Sequence, residues 1–165
     1  MEEVSTEEKV LTFLKEKFGG EILSIDSPYD FLTVTLKADK IITIIKSLYD
    51  EEGFQYLTTL CGIHYPDQKS IVVMYQLHNL KLNKRIRLKI ALPEDKPTVP
   101  TLTTVFPAAN WMERETYDFF GVNFEGHPNL IRILNVEEMI IFPMRKEYPL
   151  EDQTREDKND QMFGR

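Results

Sequence analysis

Between residues 113 and 127 the chain sets Glu113, Arg114, Glu115, Asp118 and His127 within one short stretch. Carboxylates and an imidazole so close together are the parts of an acid–base site, with His127 as the proton carrier. The same residue types also build ion-pair networks. In that reading Glu113, Glu115 and Asp118 meet Arg114, Arg132, Arg145 or Lys146 and pin a helix to a loop or to another subunit. Such networks perturb charges as readily as active sites do, and they are the commoner outcome.

Other chemistries find little support in the sequence. Cys61 is the single cysteine, so an internal disulfide is impossible and no CxxC pair is present for zinc or an iron–sulfur cluster. His64 and His78 sit in strand-like segments, where they read as polar edges of a packed sheet rather than ligands. There is no phosphate-binding loop, no GxGxxG fingerprint and no GxSxG elbow. A net charge of −7 argues against nucleic acid or an anionic membrane surface as the main partner. The opening MEEVSTEEK lacks a basic start and an apolar core, so no signal peptide is expected. No apolar run approaches the roughly 20 residues a membrane span requires.

The elements that must hold the charged residues can be traced by periodicity. Pro107 suits a first helical turn and Gly121 a left-handed cap, which predicts a helix over 107–121. On it Ala108, Trp111, Met112, Glu115 and Phe119 share one face, predicted to turn inward. Glu115 within that stripe needs a partner, and Arg132, Arg145 and Lys146 are the expected ones. Asp118 falls in the last turn, where the helix dipole disfavours an anion and Arg114 can offset it.

Upstream, a helix is predicted over 5–18 with a Ser5–Glu8 capping box, and another over 39–52 with Asp39 as N-cap and an Ile41, Ile44, Ile45, Leu48 core stripe. Strands are predicted over 21–26, 31–37, 60–65, 71–79 and 85–92. In the last, Arg85, Arg87 and Lys89 alternate with Ile86, Leu88 and Ile90, which gives one solvated basic face and one buried face. PEDKPTVP reads as a connector and 123–128 as an ordered loop. Beyond it, short apolar anchors at 131–134 and 139–142 alternate with charge, the pattern of an arm laid over a partner, and 151–165 is almost wholly polar. The expected fold is α+β: a mixed sheet of about five strands with helices on one face, then the 107–121 helix and an extended C-terminal arm. The corresponding divisions are 1–93, 94–122 and 123–165.

ERETYDFFGVNFEGHP followed by NLIRIL, with TVFPAANWM before and PMRKEYPL after, resembles the signature of the C subunit of proton-pumping NADH–quinone oxidoreductase, respiratory complex I. The likeness runs from about Thr101 to Leu150 and departs at Ile131 and in VEEMIIF. It marks Trp111, Glu113, Arg114, Glu115, Asp118, Gly121, His127, Pro128, Arg132, Arg145 and Lys146 as signature and interface residues. It implies a subunit without catalytic residues, metal or cofactor, scaffolding the quinone-site and iron–sulfur subunits, with FMN and the clusters held by partners. The neighbour it implies is the D subunit, which helps to form the quinone site. The location it implies is the cytoplasmic face of the bacterial inner membrane, peripheral, with membrane contact only through the complex. Two other readings remain open: the matching subunit of a membrane-bound hydrogenase-type complex, and a stand-alone acid–base enzyme using Glu113 or Glu115 with His127.

Overall fold

The computed structural model describes residues 6–28 and 31–149. Helix α1 (Thr6–Phe18) leads to strands β1 (Ile22–Asp26) and β2 (Thr33–Leu36), then to helix α2 (Ile41–Asp50). Three ten-residue strands follow, β3 (Tyr56–Tyr65), β4 (Ser70–Asn79) and β5 (Lys84–Pro93). A short strand β6 (Thr98–Pro100), helix α3 (Ala109–Phe120) and a short strand β7 (Asn123–Glu125) complete the order. Residues 126–149 are irregular. The Ser5 cap and the 151–165 tail lie outside the described residues.

The main sheet runs β1-β2-β5-β4-β3, with β2 and β5 parallel and the other neighbours antiparallel. Register settles which side chains share a face, because directly paired residues point the same way. Val34 and Leu36 lie beside Leu88 and Ile90, which lie beside Tyr75 and Val73, then Leu60 and Gly62. This face is buried, and it forms one core with Val10 and Leu14 of α1 and with Ile41, Ile44, Ile45 and Leu48 of α2. The same face meets α3, since a Cβ on Gly62 would fall 2.6 Å from the Phe120 ring. All three helices therefore cover one side of the sheet. On the other side Thr35, Lys89, Met74 and Cys61 stand in a row, all half-buried. Arg85 is exposed there, but Arg87 stacks 4.6 Å from the Phe31 ring with its Nε buried and Lys89 is half-buried, so the face expected to be solvated is only partly so.

Four local expectations are revised. Asp39 makes no cap bond; it lies in a 3-10 turn, Ala38–Lys40, that precedes α2. Pro107 stands in a turn just before α3, which begins at Ala109 behind Ala108. PEDKPTVP is no free connector, because Thr98, Val99 and Pro100 pair in parallel with Asn123, Phe124 and Glu125. By the same pairing, 123–125 is a strand rather than loop. Three-residue strands carry too little alternation to be seen in sequence. Here they bring residue 101 beside α3, through Thr101 N–H donating to Glu125 O at 2.9 Å.

Candidate functional site

Helix α3 is rotated by roughly a quarter turn from its predicted stripe, so that Met112 and Phe119 stay half-buried while other stripe residues face out. The buried positions are Ala109, Glu113, Thr116 and Asp118, whereas Trp111 is 61% exposed and Ala108 and Glu115 are exposed. Hydropathy misplaced this helix because its inward carboxylates find their partners within the chain, which removes the usual penalty for burying them. Gly121 ends the helix as expected, at φ 75° and ψ 25°, with its N–H donating to Tyr117 O.

Asp118 is the centre of one cluster. Its Oδ2 accepts the backbone N–H groups of Ile133, Leu134 and Asn135 at 3.1, 2.8 and 2.9 Å, and its Oδ1 accepts the Asn135 amide and Arg132 Nη1. Burial alone would raise this carboxyl. The amides of Asn135 and Leu134, the Arg132 guanidinium and the Ile133 amide outweigh it and hold the group well below the usual carboxylate range. Arg132, whose side chain is 7% exposed, also donates to Asp118 O, Met139 O and Ile141 O. The ion pair forms with Arg132, not with Arg114 as the helical spacing predicted.

The remaining arginines bind carbonyls. Arg114 donates to Ile131 O and Arg132 O and lies 5.2 Å from the Trp111 ring. Arg145 donates to Phe120 O at 2.8 Å. Arg132 and Arg145 lie 5.2 and 5.1 Å from the Phe142 ring, and Tyr117 meets it edge-on at 6.1 Å. Lys146 contributes its backbone, donating N–H to Nδ1 of buried His64, whose Nε2 faces Glu94 Oε1 at 3.0 Å. The 130s and 140s are thus stapled to α3 and to the sheet. Sequence carried no sign of His64, Asn135 or Phe142 in this role, since each acts through a contact distant along the chain.

A second cluster surrounds Glu113, whose side chain has no exposed area. Oε1 accepts Leu102 N–H and Oε2 accepts the Thr101 hydroxyl, both at 2.6 Å. His127 lies 3.9 Å away, with no side-chain exposure. Its Nδ1 accepts Asn129 N–H, which places the ring proton on Nε2, facing Asn110 O at 3.2 Å. Pro128 follows in an exposed turn. Burial pushes the Glu113 carboxyl up to about 6, against the Thr101 and Leu102 hydrogen bonds, which pull it down. Tyr75 is wholly buried nearby; burial and the Glu113 charge push its phenol up, and its hydroxyl has no partner among the described residues.

Glu115 meets neither expectation laid on it. No basic side chain lies within ion-pair distance among the described residues. It lines a groove between α3 and β3 with Cys61, Phe119 and Met144. Two residues from Glu113 is about 200° around a helix, so Glu115 and His127 lie on different faces and form no acid–base pair. Burial raises the Cys61 thiol, with Arg87 opposing and Glu115 adding to it, which makes it a poor nucleophile. Among the described residues no three of His, Cys, Asp and Glu converge as a metal site, and no helix is long and apolar enough to cross a membrane.

An α+β domain with a C-terminal arm stapled by buried charge is the class of protein these features define. Comparison with known proteins places it more narrowly. The model of the family described as respiratory-chain NADH dehydrogenase, 30 Kd subunit, matches residues 34–154. The C subunit of NADH-quinone oxidoreductase from Mycolicibacterium gilvum is 40% identical over 125 residues, 73% of this chain and 55% of that protein. The corresponding C subunit of Methylobacterium sp. (strain 4-46) is 41% identical over 140 residues, 83% of this chain and 65% of that one. In Citrifermentans bemidjiense the C subunit is 36% identical over 144 residues, 87% of this chain and 89% of its own length. The chain therefore spans between about half and nine-tenths of these relatives. Among solved structures, a chain of the membrane-bound sulfane sulfur reductase, an archaeal respiratory membrane complex, superposes with a TM-score of 0.76 at 27% identity, covering 88% of this chain and 87% of that one. The trypsin-resistant fragment of Nqo5 superposes at 0.64 with 30% identity, over 76% of this chain and all of the fragment. The chain belongs to the family of the 30 Kd subunit of respiratory-chain NADH dehydrogenase, the C subunit of NADH-quinone oxidoreductase.

Proposed function

We propose that this chain is a non-catalytic subunit of the peripheral arm of complex I, scaffolding the quinone-site and iron–sulfur subunits while electrons pass from NADH to quinone. In this reading FMN and the clusters reside in partner subunits, and the D subunit is the principal neighbour. The chain lies on the cytoplasmic face of the inner membrane and reaches the bilayer only through the complex. One observation carries the reading. Asp118, Arg114, Arg132 and Arg145 are consumed in fixing the arm, and the arm so fixed presents Ile131, Leu134, Val136 and Ile140 outward, beside Trp111 on α3. Ile140 is 92% exposed. Several large apolar side chains left exposed on one anchored, irregular segment are what a surface covered by another protein would present.

The likeness to the archaeal sulfane sulfur reductase chain favours one second reading, a sister membrane complex built on the same module. The experiment is a pull-down from gently solubilised membranes with this chain as bait. Recovery of the quinone-site and cluster-bearing subunits of complex I is the expected result. Recovery of a hydrogenase-type or sulfur-reductase-type large subunit moves the assignment to the sister complex. A chain recovered alone removes the scaffold reading.

A further inference from the structure

We infer that Glu113 is a buried proton-binding site, served by a threonine hydroxyl relay, Thr103 to Thr101, that connects it to the surface without opening the fold. The site is independent of the scaffold reading. Its carboxyl group has no exposed area and no cationic side chain bonded to it. No lysine or arginine is among the described groups packed around it. The segment before α3 supplies the Thr101 hydroxyl and the Leu102 amide. The loop after β7 supplies His127, whose Nδ1 is already occupied by the Asn129 amide. β4 supplies the Tyr75 phenol. On α3 itself Arg114 turns to the carbonyls of 131 and 132, and Asp118 to Arg132. The ionised form thus has no lysine or arginine beside it, and the buried carboxyl is a group that accepts a proton when one arrives.

A route for that proton is present. Thr101 Oγ1 lies 2.6 Å from Glu113 Oε2 and 2.9 Å from Thr103 Oγ1. Thr103 is half-buried and the next residue, Thr104, is exposed, so the outer hydroxyl of the pair stands at the edge of the fold and solvent is taken as the proton source. With Glu113 ionised, the Thr103 hydroxyl donates to Thr101 Oγ1 and the Thr101 hydroxyl donates to Oε2. Thr101 Oγ1 also accepts the Thr103 amide at 3.2 Å, which holds the hydroxyl in line. In uptake the Thr101 proton moves to Oε2, the Thr103 proton to Thr101 Oγ1, and one proton from water to Thr103 Oγ1. Every hydroxyl regains a hydrogen, the bonds reverse direction, and the net change is one proton bound. Burial, which pushes the Glu113 carboxyl up to about 6, puts this uptake within the range of ordinary cellular conditions.

The test follows the side-chain carboxyl carbon of Glu113 by NMR in the full chain, assigned through bonds from its own backbone, across pH 4 to 8. A midpoint at least one unit above an ordinary glutamate is the expected result. Thr103→Val should leave that midpoint in place and slow proton exchange at the carboxyl at least tenfold, seen as exchange broadening of the resonance. Thr101→Val should raise the midpoint, by removing a donor to the ionised form, and Thr101→Ser should restore both midpoint and rate. A Glu113 carboxyl with an ordinary midpoint overturns the site. Parent-like exchange in Thr103→Val overturns the relay, and Thr103→Ala repeats that measurement should the valine distort the turn.

Discussion

Replacing Asp118 by Asn keeps the shape of the side chain and removes its charge, so the substitution isolates what the charge does. In the parent, one carboxylate oxygen gathers three consecutive backbone N–H groups, and the other faces a guanidinium that is only 7% exposed. An asparagine retains one oxygen. Its amide nitrogen is a donor set against donors, and Arg132 is left as a buried cation without its counter-charge. Removing one partner of a buried pair costs about 3–5 kcal/mol. At about 1.4 kcal/mol per decade that is roughly two to four orders of magnitude in the opening equilibrium of the arm. The assay is hydrogen exchange at the amides of Ile133, Leu134 and Asn135, with β4 and β5 amides as an internal reference. The expected result is loss of protection at the three amides and near-parent protection in the strands. Because the Asp118 carboxyl is depressed in the folded chain, its contribution is fully present above the ordinary aspartate range and is lost as pH falls through the folded value. The asparagine variant should therefore lack the acid loss of protection that the parent shows. Equal protection in the two proteins at neutral pH refutes the reasoning.

Glu113 works in the opposite pH window. Its carboxyl is raised from 4.5 to about 6, so its contribution is fully present below 4.5 and is lost as pH rises through 6, a fall of about 2 kcal/mol. Urea unfolding of Glu113→Gln against the parent between pH 4 and 7.5 should show this slope in the parent alone. Gly121→Ala forces a side chain into a left-handed backbone and sets a Cβ 2.6 Å from the Phe142 ring; about 2–4 kcal/mol of lost stability in urea is expected, and a loss under about 0.5 kcal/mol contradicts the packing described. Arg114→Ala frees two carbonyls and the Trp111 ring at the proposed docking surface. Native gels and quinone reduction should show less assembled complex with near-normal turnover per complex; the reverse would point to chemistry at this position.

Where sequence and structure agree, one-dimensional periodicity carried the information. The stripe of Ile41, Ile44, Ile45 and Leu48 is fully buried, and the alternation from Arg85 to Ile90 marks the two faces of a central strand. The roster of charged residues around α3 was also legible, from residue type and from resemblance. Their pairing was not. Asp118 chose Arg132 fourteen residues on, Glu113 chose a hydroxyl and an amide, and Glu115 chose no cation among the described residues, because each outcome depends on where β6, β7 and the arm place their backbone groups. Backbone donors have no letter in a sequence. The rotation of α3 follows from the same cause: once the carboxylates were satisfied inside, the tryptophan was left to face outward.

The distant anchors of the arm also impose an order in time. Arg145 finds its acceptor on Phe120, 25 residues earlier, and the Lys146 amide finds His64, 82 residues earlier. Neither acceptor is in place until the sheet and α3 have formed, and closing so long a loop is favourable only onto a surface that already exists. The arm therefore depends on the sheet and α3 for its anchors, while they depend on it for none of their own backbone pairing. Without the arm in place, the Asp118 carboxylate has neither its three amides nor its arginine. The arm closes last, so the surface that carries Leu134, Val136 and Ile140 comes into being only on a finished domain, and an unfinished one has nothing of that kind to offer a partner.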